Sequence, residues 1–345
     1  MQTLGPLQLA LGPPRRGAPD STRAVVDASV RPPRLTLASQ QVSDPQVINA
    51  LARIRADGTP GSVRVMVERD YLFERSPVAL DEVWGAAGRN EANREALAAL
   101  LRASVPVRFD HVRGELMHVN LVLSGEGDEE SLTVTSANLS TSSLDRHLNW
   151  TLTIAEPTVA RACRDAWEAA WDGDFRDVAL DTTLTGVSGQ FVMGARGEAG
   201  QCLTEALAQA EHSVDLAFFN IAESSAGAHA LLAALDRGVN VTGVVDADQG
   251  NQSWDGVQAL REAGADVRYY PGARTGAIGR MHYKMAVIDA TASYLSTANL
   301  SASAESSLEA AVLIPDGGDL AHAMATEIER LKAGASRRPI PEMVI

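Results

Sequence analysis

The stretch "RMHYKMAVID", residues 280–289, holds three side chains that could do acid–base and anion chemistry together. His282 supplies an imidazole, whose ordinary pKa of about 6.5 suits proton transfer near neutral pH. Lys284 supplies an ammonium that can hold an oxyanion, and Asp289 supplies a carboxylate. In an extended segment residues i and i+2 share a face, so Arg280, His282 and Lys284 point the same way. Of the 30 basic residues 28 are Arg, and only Lys284 and Lys332 are Lys. The apolar run Met285–Ile288 after Lys284 reads as a buried strand, where Lys is rare unless it has a function. Asp289 ends that strand and is expected to brace the turn.

A weaker copy lies upstream. "ELMHVNLVLSG" (115–125) carries His118 with Asn120 where the later copy has Lys284, and Gly125 where it has Asp289. "TSANLS" (135–140) then answers "STANLS" (296–301). His118 and His282 lie 164 residues apart and Asn138 and Asn299 lie 161 apart, so two clusters recur in one order. A single H-x-K-x4-D string is common by chance; the ordered repeat is not.

The flanking elements repeat as well. Strand patterns at 34–39, 62–70 and 105–110 alternate with helix patterns at 44–58 and 90–104. Strands at 213–220, 239–248 and 265–270 alternate with helices at 225–238 and 254–264. A further helix closes each half, at 157–173 and 318–334. This alternation predicts an α/β fold of two similar α/β/α halves, each with a mixed or largely parallel sheet, packed about a pseudo-twofold axis. The divisions expected are an N-terminal tail or edge segment at 1–33, a first half at 34–175, a linker at 176–198 and a second half at 199–345. A chain that carries both copies can build the site alone, so a monomer suffices.

These motifs resemble those of the phospholipase D superfamily: H-x-K-x4-D, then a small-Ser/Thr-x-Asn segment and a carboxylate, all present twice. The later copy has His282, Lys284, Asp289, Thr297, Asn299 and Glu309. The earlier copy is degenerate, with His118, Asn120, Gly125, Ser136 and Asn138, and with Thr151 matched to Glu309. The resemblance implies metal-independent phosphodiester cleavage or transfer with no cofactor, through a phosphohistidine. It implies His118 as nucleophile supported by Glu309, and His282 as general acid and base. Lys284, Asn138 and Asn299 would hold phosphoryl oxygens, with Ser136 and Thr297 as hydroxyl donors and Asn120 and Arg280 beside the substrate. Arg280 or Arg113 could offset the missing lysine.

Composition narrows the partners. The formal net charge is -14, which opposes broad nucleic-acid and anionic-membrane binding at long range. A small-molecule or lipid phosphodiester substrate fits better. No apolar run reaches the length of a membrane span and the N-terminus does not read as a signal peptide, so the cytoplasm is expected. The excess of Ala, Arg, Gly and Asp suits a GC-rich bacterial genome. Cys163 and Cys202 have no metal-type spacing and read as reduced core residues. No metal or dinucleotide motif is present. The stretch 71–90 has no counterpart in the second half and could tune access. Tyr71, Phe73, Trp84, Trp150, Trp254 and Tyr270 could line an apolar wall, core packing being the commoner role. Asp246 and Asp248 could enter the cleft or cap a helix. His111, His147, His212, His229 and His322 lack repeat partners and read as structural or surface residues. Competing functions are a nuclease of repair or defence, a recruited biosynthetic enzyme using the His pair for non-phosphodiester chemistry, and a binding protein.

Overall fold

The computed structural model describes residues 1–12, 21–58, 62–69, 90–110, 115–173, 175–252, 254–272 and 279–339. Tyr71, Phe73, Trp84, His111 and Arg113 lie outside them. In chain order the first half comprises β1 (Gln2–Leu4), β2 (Leu7–Gly12), α1 (Thr22–Ser29), β3 (Leu35–Ser39), α2 (Pro45–Asp57), β4 (Val63–Glu68) and α3 (Glu91–Arg102). It continues with β5 (Val107–Asp110), β6 (Leu121–Ser124), β7 (Ser131–Thr135), α4 (Thr141–Asp145), β8 (Asn149–Ile154) and α5 (Pro157–Asp172). The second half comprises β9 (Ala179–Leu184), β10 (Gly189–Gly194), α6 (Glu198–Ala208), β11 (Ser213–Phe218), α7 (Ala226–Asp236), β12 (Asn240–Asp246) and α8 (Ala247–Gln252). It ends with α9 (Trp254–Glu262), β13 (Asp266–Tyr270), β14 (Lys284–Ile288), β15 (Ala292–Ser296), β16 (Glu309–Ile314) and α10 (Asp319–Ala333).

Local chemistry starts the helices where the pattern placed them. Asp44 caps α2 by accepting from the N–H groups of Gln46 and Val47, with Pro45 in the first turn. Ser225 caps α7 by accepting from Ala228 N–H. The strands form two eight-stranded mixed sheets of one topology. The first runs β1-β2-β8-β7-β6-β3-β4-β5; the second, read from its other edge, runs β9-β10-β16-β15-β14-β11-β12-β13. Parallel pairing joins β3, β4 and β5 and likewise β11, β12 and β13; the other neighbours are antiparallel.

Segment 1–33, expected as a tail or edge segment, and segment 176–198, expected as a linker, each supply a hairpin at the edge of a sheet. They are the same element. Each half opens with a hairpin, β1–β2 or β9–β10, which extends its sheet beyond the last strand. The repeat therefore begins near residue 2 and again near residue 179. The outer strands β1 and β9 are largely exposed or half-buried and lack the apolar run of a central strand, whereas the inner strands β2 and β10 bury apolar residues such as Leu7, Leu9, Phe191 and Met193.

One apolar core spans both halves. It takes Leu121 and Leu123 of β6, Trp150 of β8, Met285 and Val287 of β14, and residues of α5 and α10. The alternate residues Val122, Ala286 and Ile288 face the outer helices of their own halves. Trp150 is fully buried, and its indole N–H donates to the Ser296 carbonyl across the seam. Tyr270 joins this core too. Cys163 and Cys202 are buried free thiols whose pKa values burial pushes up to about 12. Among the described residues no helix is long and apolar enough to cross a membrane.

Candidate active site

The His-bearing segments cross the seam. Met117 bridges Leu308 of the second half, and Met281 bridges Leu148 of the first. His118 N–H donates to Leu308 O (3.0 Å) and His282 N–H to Leu148 O (2.8 Å). Each half thus lends its histidine to the strand entrance of the other, as a pseudo-twofold axis requires. A buried carboxylate pins each segment one residue before its His. Glu68, last in β4, accepts from Met117 N–H at 2.6 Å. Asp246, last in β12, accepts from Met281 N–H at 2.8 Å, and its other oxygen accepts from Asp248 N–H at the start of α8. Burial raises the Asp246 pKa to about 6.

His118 and His282 line one cavity of about 530 Å³ together with Asn138, Asn299, Arg280 and Glu309. His118 Nδ1 lies 2.7 Å from Glu309 Oε1. Glu309 is 2 % exposed, and its Oε2 accepts from Thr297 Oγ1. On the other side, His282 Nδ1 lies 3.1 Å from Asn149 Oδ1, which also accepts from Ser136 Oγ at 3.0 Å. Asn149 Nδ2 donates to Ser143 O and His147 O. With its amide N–H groups so engaged, Asn149 offers His282 only an acceptor. The proton of His282 therefore sits on Nδ1 and the lone pair on Nε2. Lys284 Nζ, fully buried, lies 3.0 Å from Nε2, 3.2 Å from Nδ1 and 5.4 Å from the Phe219 ring centroid.

The two histidines differ in their partners. Burial, then the Lys284 charge, holds His282 well below its ordinary pKa. His118 instead faces a carboxylate. Burial lowers Lys284 to about 7, against the opposing pull of Glu309. Lys332, also largely buried, instead donates to Thr242 Oγ1 and Glu329 Oε1, away from the histidines, as a structural lysine does.

Several expected residues sit elsewhere. Thr151 is not the counterpart of Glu309: its hydroxyl meets Thr135, and the sheet register places Asn149 at that position. Both Asn149 and Glu309 open the strand after the Ala-Asn-Leu-Ser turn. Thr297 and Ser136 do not reach the cavity; they brace Glu309 and Asn149 from behind. Asn120 is 2 % exposed and accepts from Ser39 Oγ at 2.6 Å; like Lys284, it is absent from the cavity lining. Asp289 accepts from the N–H groups of Glu211, His212 and Ser213, which depress its pKa against burial. Asp289 and Gly125 both have a left-handed backbone, φ 49° and 88°, so the first copy keeps the turn and drops the acceptor.

His147, read as a structural or surface residue, lines the cavity with its ring centroid 6.1 Å from that of His282. Burial and then the charges of Arg280 and Lys284 push it to about 4, so it is neutral at pH 7. Among the described residues no group of three or more His, Cys, Asp or Glu side chains is placed to share a metal ion.

The sequence profile of the family described as "Cardiolipin synthase, PLD-like domain" matches residues 32–171 and 203–332, more than half of the chain. Among solved structures, phosphatidylserine synthase from Haemophilus influenzae Rd KW20 superposes with a TM-score of 0.68 at 11 % identity, covering 96 % of this chain and 87 % of that one. Polyphosphate kinase from Porphyromonas gingivalis superposes with a TM-score of 0.62 at 14 % identity, covering 98 % of this chain and 52 % of that one. The chain thus spans about half the length of that kinase. At such identities the likeness is one of fold. No curated protein matches in sequence.

Proposed function

The chain belongs to the cardiolipin synthase phospholipase D-like family, and from that premise we propose that it cleaves or transfers a phosphodiester through His282 and His118, without a metal ion. The observation that carries this reading is the unequal support of the two imidazoles in one cavity. His282 has an amide at Nδ1 and is disfavoured as a cation; His118 has a carboxylate there. The first step needs a neutral nucleophile and a protonated acid. We therefore assign His282 as nucleophile and His118 as acid, the reverse of the order that the family resemblance implies.

In the first step His282 Nε2 forms a bond to phosphorus. The bond to the leaving oxygen breaks, and that oxygen takes the proton from His118. In the second step His118 takes a proton from water or an alcohol, whose oxygen attacks phosphorus. The N–P bond breaks and its electron pair returns to His282. The Asn138 and Asn299 amides and Arg280 line the cavity and would hold the phosphoryl oxygens where charge builds, with the buried Lys284 ammonium, in contact with the His282 ring, adding positive charge beside them. An anionic diester favours the charged form of Lys284 and draws its proton toward the phosphoryl group, freeing Nε2. One ammonium instead of two removes a charge-assisted hydrogen bond of about 1.5–3 kcal/mol, or roughly ten- to a hundredfold in rate.

Turnover of bis(p-nitrophenyl) phosphate in EDTA tests the reading. It predicts release of nitrophenol that persists in EDTA, with steady-state turnover lost in both His118→Ala and His282→Ala. Absence of turnover by the intact protein, or turnover unchanged in both variants, contradicts it.

A further inference from the structure

The cavity has two arms, and the repeat makes them alike. Ser140 and Ser142 of the first half correspond to Ser301 and Ser303 of the second, each pair spaced by 161 residues, and all four line the cavity. Within each pair the hydroxyls are neighbours, at 3.5 Å and 3.1 Å. His147, neutral at pH 7, adds a donor and an acceptor on the first arm. Arg280 is the one cation among the described lining residues, and Glu309 is committed to His118. The apolar side chains among them are Leu116, Phe219 and Ala304, too few to cover an acyl chain.

Unmet hydrogen bonds point the same way. Ser143, 3 % exposed and in the lining, has a hydroxyl with no partner. The carboxamide oxygens of Asn138 and Asn299 are buried acceptors with no donor. A buried acceptor left alone is costly, and a phosphodiester anion has no proton to give it. A hydroxylated substituent does. Both Asn residues line the cavity, and Asn138 Nδ2 already donates to Gln40 Oε1 at 3.2 Å; rotating each carboxamide would turn its Oδ1 into the cavity to accept from a hydroxyl of the adjoining arm.

We propose that the substrate is a phosphodiester with one phosphate and a neutral, hydroxyl-rich group on each side, such as glycerol or a sugar, and not a diacyl lipid. This rests on the phosphodiesterase reading above. Glycerol arms could come from a deacylated headgroup and sugar arms from nucleosides; the chemistry shared by both is the hydroxyl beside the phosphate.

The test compares kcat/KM for glycerophosphoglycerol, a dinucleoside monophosphate, dioctanoyl phosphatidylglycerol and bis(p-nitrophenyl) phosphate. The proposal predicts that glycerophosphoglycerol or the dinucleoside, whichever is better, exceeds the dioctanoyl lipid. Ser142→Val and Ser303→Val should each lower the ratio of the better hydroxylated diester to the chromogenic one, by about two- to tenfold for one lost neutral hydrogen bond. Preference for the lipid, or a ratio unchanged in both variants, overturns the proposal while turnover of the chromogenic diester keeps the phosphodiesterase reading. No turnover of any of the four overturns both.

Discussion

Replacing Lys284 by Met should stabilise the protein while impairing it. The ammonium titrates at about 7 instead of 10.5 because it is fully buried. At about 1.4 kcal/mol per pH unit, the folded state disfavours the charge by up to about 5 kcal/mol. The folded-state pKa is lowered, so between about 7 and 10.5 the unfolded chain holds a proton that the folded chain has lost. Stability therefore rises with pH across that window, and the full cost is felt below it. Met has similar length and no charge, so it removes the cost but also loses the contact with His282, roughly 1 kcal/mol. The net gain expected at pH 7 is about 2–4 kcal/mol. Denaturant unfolding of both proteins at pH 7 and pH 9.5 measures it. The variant should unfold at higher denaturant at pH 7, with a smaller advantage at pH 9.5, and should lose at least about tenfold in kcat/KM. A less stable variant at pH 7, or a difference that does not change with pH, refutes the reasoning and makes Lys284 a structural lysine.

Two further outcomes follow from the same geometry. Asn149→Asp puts a carboxylate on His282 and favours its cation, moving its titration up by about one to three pH units; the acid limb of kcat/KM against pH should move up with it, whereas faster turnover at pH 8 would mark His282 as the acid. Asp289→Ala removes the acceptor of three N–H groups in a left-handed turn and should cost about 2–4 kcal/mol in thermal or denaturant unfolding, with Asp289→Gly about 1 kcal/mol less harmful because it relieves the backbone.

The repeat was legible because strand and helix periodicity and the Ala-Asn-Leu-Ser turn survive in both halves. The hairpin at 176–198 was not, because its outer strand β9 is half-exposed and carries no sustained apolar pattern, while the N-terminal one read only as a tail or edge segment. His118, His282, Glu309, Asn138 and Asn299 could be marked from spacing, and they line one cavity. Asn149 was hidden by a single residue: it follows Asn138 by 11 positions, where Glu309 follows Asn299 by 10. The extra residue belongs to the segment containing α4, where the second half has a 3-10 turn at Ala302–Ser306. Counting from the sheet register instead of the motif finds it. Glu68 and Asp246 share one signal, a carboxylate as the last residue of the second parallel strand. His147 has no counterpart histidine, Ser307 occupying the matching place before the bridging leucine, so repeat logic alone could not single it out.

Which histidine bears phosphorus can be measured directly. In His118→Ala, bis(p-nitrophenyl) phosphate needs no acid to lose nitrophenolate, but the second step lacks its base. A burst of about one nitrophenol per chain is expected, with a phosphoryl adduct mapped by mass spectrometry to His282. An adduct on His118 in the converse variant, His282→Ala, with none in His118→Ala, contradicts it.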